Sequence, residues 1–206
     1  MVPLFPLKIV VFPDEALNLH IFEPRYKQLI NDCLDNKSTF VIPAFIHQTI
    51  EFGTEVRIKK VNKVYNDGRM DLSTVGLRAV KVREFVNPQE GKLYAGGQVD
   101  VLDNVLDASD LQKKTLLDLI KDLFAKINLD LNVVISNNIT SFNIAHKIGL
   151  SLKQEYKLLS MMRDSDRHDF IISHLNEAIP ILQQINEAKE RVKMNGHFRH
   201  FDPLDF

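Results

Sequence analysis

The 206-residue chain predicts an α+β fold: an antiparallel β-barrel lobe with one inserted helix, followed by an α-helical bundle. Three observations carry this expectation. Apolar and β-branched residues alternate in short runs through the first half, as half-buried strands require. Asn66-Asp67-Gly68 separates two such runs and tolerates the positive φ of a hairpin turn. The second half instead carries helix-start signatures ahead of apolar residues spaced three and four apart. The expected organisation is a β-rich lobe over residues 1–105, a helical lobe over 106–196 and a tail over 197–206.

In chain order, residues 8–12 form a β-branched run closed by Pro13, and 39–46 form another. Between them Pro24 suits the first position of a helix, and Tyr26, Leu29, Ile30, Cys33 and Leu34 follow as one apolar stripe. Residues 54–64 alternate with a shift at Lys59-Lys60, which predicts a bulge. After the hairpin, 70–86 and 93–102 read as further strands, with Gly96-Gly97 placed for a bulge or bend. Six or so short strands without regular intervening helices suit a closed antiparallel sheet better than a parallel one.

Ser109 to Gln112 is a capping box, and Leu116, Ile120, Leu123, Phe124 and Ile127 make the face of the helix it opens. A second helix covers 141–148 and stops at Gly149. Ser151 to Gln154 repeats the capping box ahead of Leu152, Tyr156, Leu159 and Met162. The last helix starts near Asp164 and ends at Asn195-Gly196, with a seam of Leu175, Ala178, Leu182, Ile185 and Val192. Pro180 predicts a kink or break inside it.

Composition narrows the function. With 26 basic and 27 acidic side chains, the strongly basic footprint of a nucleic-acid binder is absent. The lone Cys33 offers neither a disulfide nor a multi-cysteine zinc site, so a cytoplasmic setting is expected. The longest apolar run, 40–46, contains Pro43 and is far short of a membrane span. There is no phosphate-cradling G-x-x-x-x-G-K-[ST], no G-x-S-x-G and no H-E-x-x-H, so no cofactor or metal is expected.

The remaining candidates are weighed against structural roles. His197 and His200 make only an incomplete zinc set. Asp164, Asp166, His168 and Asp169 cluster where carboxylates cap a helix start. Glu23 and Arg25 read as an ion pair, or as partners of strand-end carbonyls, that locks the first helix onto the barrel. Cys33 reads as a small buried hydrophobe. Phe198, Phe201, Leu204 and Phe206 in the tail either fold back or dock on a partner.

The N-terminal residues also carry a resemblance. Leu4-Phe5-Pro6-Leu7, then Phe12-Pro13, then Leu19-His20-Ile21-Phe22-Glu23-Pro24-Arg25-Tyr26 resembles the opening of the N-terminal, substrate-binding domain of Lon proteases. Gly53-Thr54, Asp67-Gly68-Arg69 and Gly76-Leu77-Arg78 are similar to later positions, as are Gln154, Leu158-Leu159, Asp164 and Arg167; Ala79-Val80 departs from the aromatic common after that arginine. The resemblance covers roughly residues 1–190. It implies a PUA-like pseudo-barrel followed by a helical bundle. In Lon proteases an ATPase module and a serine–lysine peptidase follow, and this chain ends where the ATPase would begin.

The implied function is a non-catalytic module that engages exposed apolar segments of unfolded or partner proteins, as a candidate proteolysis adaptor, with self-association left open. Contact residues would be Phe45 and Ile46, at the end of an apolar strand, with the tail aromatics Phe198, Phe201 and Phe206. An RNA-binding module is the alternative, carried by Lys59, Lys60 and Lys63, and an unrecognised hydrolase is the third.

Overall fold

The structure, a computed structural model, describes residues 1–46, 49–127 and 140–196, with side chains to residue 192. Its strands are β1 (Val2–Leu4), β2 (Ala16–Ile21), β3 (Phe40–Pro43), β4 (Phe52–Val64), β5 (Met70–Val86) and β6 (Ala95–Val101), with helix α1 (Pro24–Asp35) between β2 and β3. Helices α2 (Asp110–Lys126), α3 (Ser141–Ile144), α4 (Leu152–Leu159) and α5 (Asp164–Gly196) follow, α3 running into a 3-10 turn over Ala145–Lys147. Two compact units emerge. Residues 1–108 and 140–167 form one, and the described residues of 109–127 and 168–196 the other. The units interleave in sequence.

In the first unit the sheet order is β2-β5-β4-β3-β1-β6, and β6 also pairs with β5. The long β5 makes this closure: its first half pairs with β2 and its last residues with β6, while β4 runs along its other edge. All pairs are antiparallel except β1 with β3, which are parallel, so the sheet is mostly antiparallel as expected. The hairpin turn forms as expected, with Gly68 at φ +77° and its N–H donating to the Tyr65 carbonyl. The bulge expected at Lys59-Lys60 is present as a register shift between Ile58 and Lys60.

Two strand expectations are corrected. Residues 8–12 are not a strand; they are a loop that buries Val10, Val11 and Phe12 while other groups serve its backbone. The Phe12 N–H donates to Glu15 Oε2 at 2.8 Å, and the Val11 carbonyl accepts from Thr54 Oγ1. The true strands lie on either side, at β1 and β2. Gly96-Gly97 is no bulge either. The register shift of this pair lies between Val82 and Glu84 of β5, opposite Val99 and Gln98, and a Cβ on Gly97 would collide with the Glu84 carbonyl and with Leu4 Cδ1.

The barrel core joins Phe5, Val11, Ile21, Phe40, Ile42, Val56 and Leu72 with Leu29, Ile30 and Cys33 of α1. Leu34, expected on this stripe, is exposed. Burial pushes the Cys33 thiol pKa up, as an inert buried cysteine requires. Phe12 is buried and its ring lies 5.4 Å from Phe142 and 4.9 Å from His146, fixing residues 140–167 against the barrel. Capping boxes close at Ser109–Gln112, Thr140–Asn143 and Ser151–Gln154. Of the face expected for α4, only Leu159 is buried, beside Leu158; Leu152 and Met162 are exposed.

In the second unit, Leu116, Ile120, Leu123 and Phe124 of α2 and Ile171, Leu175 and Ile179 of α5 are buried. Gln112 Nε2 donates to Asp169 Oδ1 at 2.7 Å, and Asn186 Nδ2 donates to the Lys126 carbonyl at 2.9 Å. The expected seam stops early. Ile185 and Val192 are exposed, from the level of Asn186, whose Nδ2 meets the end of α2, and Ile127 is exposed as well. Helix α5 runs unbroken through Pro180, which is exposed, so water can serve the carbonyl that loses its helical donor.

Candidate functional site

The sequence places an aromatic and a cation side by side at the start of α1, and the fold turns both toward a cleft in the first unit. Tyr26 is backed by Phe5, with ring centroids 3.8 Å apart, and Phe5 by Phe40 at 6.3 Å. The Arg25 guanidinium lies over the Tyr26 ring at 4.6 Å and pairs with Glu23 at 2.7 Å. Burial raises the Tyr26 hydroxyl pKa, with Arg25 opposing and Glu23 reinforcing the shift. Opposite stands Phe45, 38% exposed, whose N–H donates to the Leu7 carbonyl at 2.7 Å.

Two adjoining cavities share Pro6, Arg25, Tyr26 and Phe45. The larger, about 640 Å³, is completed by Leu4, Ile50, Phe85 and Ala95. The smaller, about 430 Å³, is completed by Leu7, Lys8, Leu19, His20 and Phe22. Together they make a cleft of mostly apolar walls with few polar groups, the form that suits a hydrophobic ligand.

The structure thus brings together Phe22, Glu23, Arg25, Tyr26 and Phe45 from the residues singled out in sequence. Others separate. Ile46, expected as a contact, is 7% exposed and does not line the cleft; it belongs with the core. Phe12 is core, Pro24 is the exposed first residue of α1, and Pro13 lines a separate cavity of about 90 Å³ beside Phe142 and Arg167. Phe198, Phe201 and Phe206, with His197, His200 and Leu204, lie outside the described residues, as do His47 and Gln48. Leu4, Pro6, Lys8, Ile50 and Phe85 were missed as wall residues, since each sits at a strand end or loop with no local pattern of its own.

The Glu23–Arg25 pair does not lock α1 to the barrel. That work falls to Asp32, which accepts from Tyr94 Oη at 2.6 Å and Lys92 Nζ at 2.7 Å, and to Lys27, whose Nζ donates to the Asp67 carbonyl at 2.7 Å. Hydrogen bonds from Lys92 and Tyr94 hold the Asp32 carboxyl below its usual range, while burial and Asp32 raise the Tyr94 hydroxyl.

Two polar clusters lie elsewhere in the first unit. His146 Nδ1 meets Glu155 Oε1 at 2.7 Å and Nε2 meets Glu15 Oε2 at 3.1 Å. Its pKa is raised to about 9, first by the Glu15 hydrogen bond, against burial, with Glu155 adding. The second cluster centres on Arg167, discussed below. The aspartate group at the start of α5 keeps structural roles: Asp164 binds Ser141 and Arg167, while the first-turn N–H of Ser165 is capped from a distance by Asp107 at 2.9 Å. That bond, against burial and with help from Arg163, takes the Asp107 pKa down to about 2. Among the described residues no group of three or more His, Cys, Asp or Glu side chains could hold a metal ion, and no helix is long and apolar enough to cross a membrane.

A closed, mostly antiparallel β-sheet with an inserted helix, beside an apolar cleft at that helix's first turn, defines the class of this domain. The chain belongs to the family of the ATP-dependent protease La (LON) substrate-binding domain, whose model matches residues 1–194. It is similar in fold to the crystal structure of a Lon N-terminal domain protein from Xanthomonas campestris, at 23% identity and TM-score 0.65, covering 84% of this chain and 96% of that one. The N-terminal domain of the Mycobacterium avium complex Lon protease superposes with TM-score 0.63 at 15% identity, over 85% of this chain and 97% of that one. No curated protein sequence matches.

Proposed function

We propose that the protein is a non-catalytic recognition module that binds an exposed apolar segment of an unfolded or partner protein in the cleft between Tyr26 and Phe45. The observation that carries this is the cleft itself: Pro6, Tyr26, Phe45 and Phe85 wall about 640 Å³ in a domain whose family is named for substrate binding. Aromatic anchors of this kind dominate binding energy where a ligand excludes water from them. Service as an adaptor for a separate ATPase-protease fits the same geometry, since such a task needs a grip and no chemistry.

The test uses the absence of tryptophan from the chain, which leaves a tryptophan-bearing apolar peptide as a clean fluorescent reporter. Saturable binding of that peptide and of a permanently unfolded casein is expected. Phe45→Ala should weaken both about tenfold or more, in a variant whose cooperative urea unfolding shows that it remains folded. Binding that ignores Phe45→Ala and Tyr26→Ala alike refutes the reading.

A further inference from the structure

Beyond its pairing with β3, β4 continues with β5 alone, and β2 flanks β5 on the other side, so a three-stranded extension projects from the closed sheet. Residues opposite one another in register share a face. Across this extension Ala16, Val75 and Arg57 align, then Asn18, Ser73 and Lys60, then His20, Asp71 and Lys63. Hydrogen bonds run along the same rows: Ser73 Oγ donates to Asn18 Oδ1 at 2.9 Å, and His20 Nδ1 meets Asp71 Oδ1 at 2.6 Å. The face is polar and unbalanced in charge. Arg57, Lys59 and Lys60 are exposed and make no ion pair among the described residues, while Lys63 rests on the Tyr65 ring at 4.4 Å. Its one carboxylate, Asp71, is already engaged by His20 and Tyr65, whose hydrogen bonds lower its pKa. In a chain whose charges nearly cancel, this is a local surplus of cations.

The surplus adjoins the cleft. His20 and Phe22 line the cleft's smaller cavity, and their rings lie 6.1 Å apart at 26°. Lys8, exposed and without an ion pair among the described residues, stands on the same rim. Helix α1 opens there too, and the carboxylate of its N-cap residue Glu23 is already paired with Arg25 at 2.7 Å.

Resting on the reading of the cleft above, we propose that the protein segments it takes are apolar stretches flanked by acidic residues, with the flank lying along Arg57, Lys59, Lys60 and Lys63. Each exposed charge pair is weak alone, but several cations of one sign raise the encounter rate and set orientation in a salt-dependent way.

The experiment compares fluorescein-labelled peptides that share one apolar core but carry aspartate, serine or lysine flanks, against the full chain at low and high salt. The aspartate-flanked peptide should bind roughly tenfold tighter than the lysine-flanked one at low salt, with the gap closing at high salt. In a Lys59→Glu/Lys60→Glu variant the order should reverse, and in Lys59→Gln/Lys60→Gln the gap should shrink. Equal affinities for all flanks, with Phe45→Ala still weakening them, overturn this inference and leave the cleft reading standing. Binding of none of the peptides overturns both. A single-stranded oligonucleotide that binds more tightly than the aspartate-flanked peptide, and is lost in the Lys59→Glu/Lys60→Glu variant, assigns the face to nucleic acid and also overturns it.

Discussion

Arg167 is 1% exposed, and the cost of removing it can be worked from its partners. Nε donates to Ser141 Oγ at 2.9 Å and Nη1 to the Met161 carbonyl at 2.8 Å; Nη2 donates to Asn104 Oδ1 at 2.6 Å and Asp164 Oδ1 at 3.1 Å. The guanidinium also lies 4.4 Å from the Phe142 ring. One side chain thus ties the strand-exit residue Asn104 to α3, to the turn after α4 and to the first turn of α5. Burial lowers its pKa, and Asp164 opposes that shift. Arg167→Ala strands the buried Asp164 carboxylate without its cation and leaves three neutral acceptors short of a donor, a loss of about 3–5 kcal/mol. Urea titration followed by circular dichroism and tyrosine fluorescence measures it. Adding Asp164→Asn to Arg167→Ala should recover part of the loss, since the stranded charge is then gone, and the double-mutant cycle should show about 1 kcal/mol of coupling or more. An Arg167→Ala variant within about 1 kcal/mol of wild type would show that the buried cation does not hold these segments together.

The His146 clamp carries a pH dependence of definite sign. Its folded pKa of about 9 lies above the ordinary 6.5, so its stabilisation is complete below pH 6.5 and is lost as pH rises through 9. With the imidazole 38% exposed, screening leaves about 1 kcal/mol of effect. The stability gap between wild type and His146→Gln should therefore shrink from pH 6 to pH 9.5, and a constant gap contradicts the assignment. A second pair of variants separates packing from recognition. Phe12→Ala, in the core, should cost about 3–5 kcal/mol, whereas Phe22→Ala, at a ring 59% exposed, should stay within about 0.5 kcal/mol. Equal losses in the two melting curves would show that both rings serve the core.

The parts of the fold that were legible in sequence are those encoded within a few residues. Asn66-Asp67-Gly68 dictates its turn because few other residues accept that backbone, and Ser109–Gln112 and Ser151–Gln154 satisfy their helix ends reciprocally within one turn. Pro24 and the α1 stripe are equally local. What escaped depends on pairing at long range. Residues 8–12 have strand composition, yet their carbonyls and amides find Thr54 and Glu15 before any ladder, while Val2–Leu4, interrupted by Pro3, becomes a strand because β3 and β6 flank it on both sides. Asp107 capping Ser165 and His146 joining Glu15 to Glu155 are likewise invisible to a window of neighbouring residues. The cleft falls between these cases: Tyr26 and Phe45 were visible as residues, but their meeting depends on β1 lying beside β3.

That meeting also explains why the cleft stays open when its aromatic walls would gain by collapsing onto one another. Tyr26 is not at liberty to swing, since the Phe5 ring packs against it at a 30° tilt and the Arg25 guanidinium, itself paired with Glu23, lies over its ring. Helix α1 cannot slide toward Phe45 without breaking the Asp32 bonds to Tyr94 and Lys92 and the Lys27 bond to the hairpin. Phe45 in turn is held by its backbone bond to Leu7. The walls are therefore held in place by the fold itself, and on the proposed reading an apolar segment would meet little further ordering cost on this side of the interface, so that more of the burial free energy would appear as affinity.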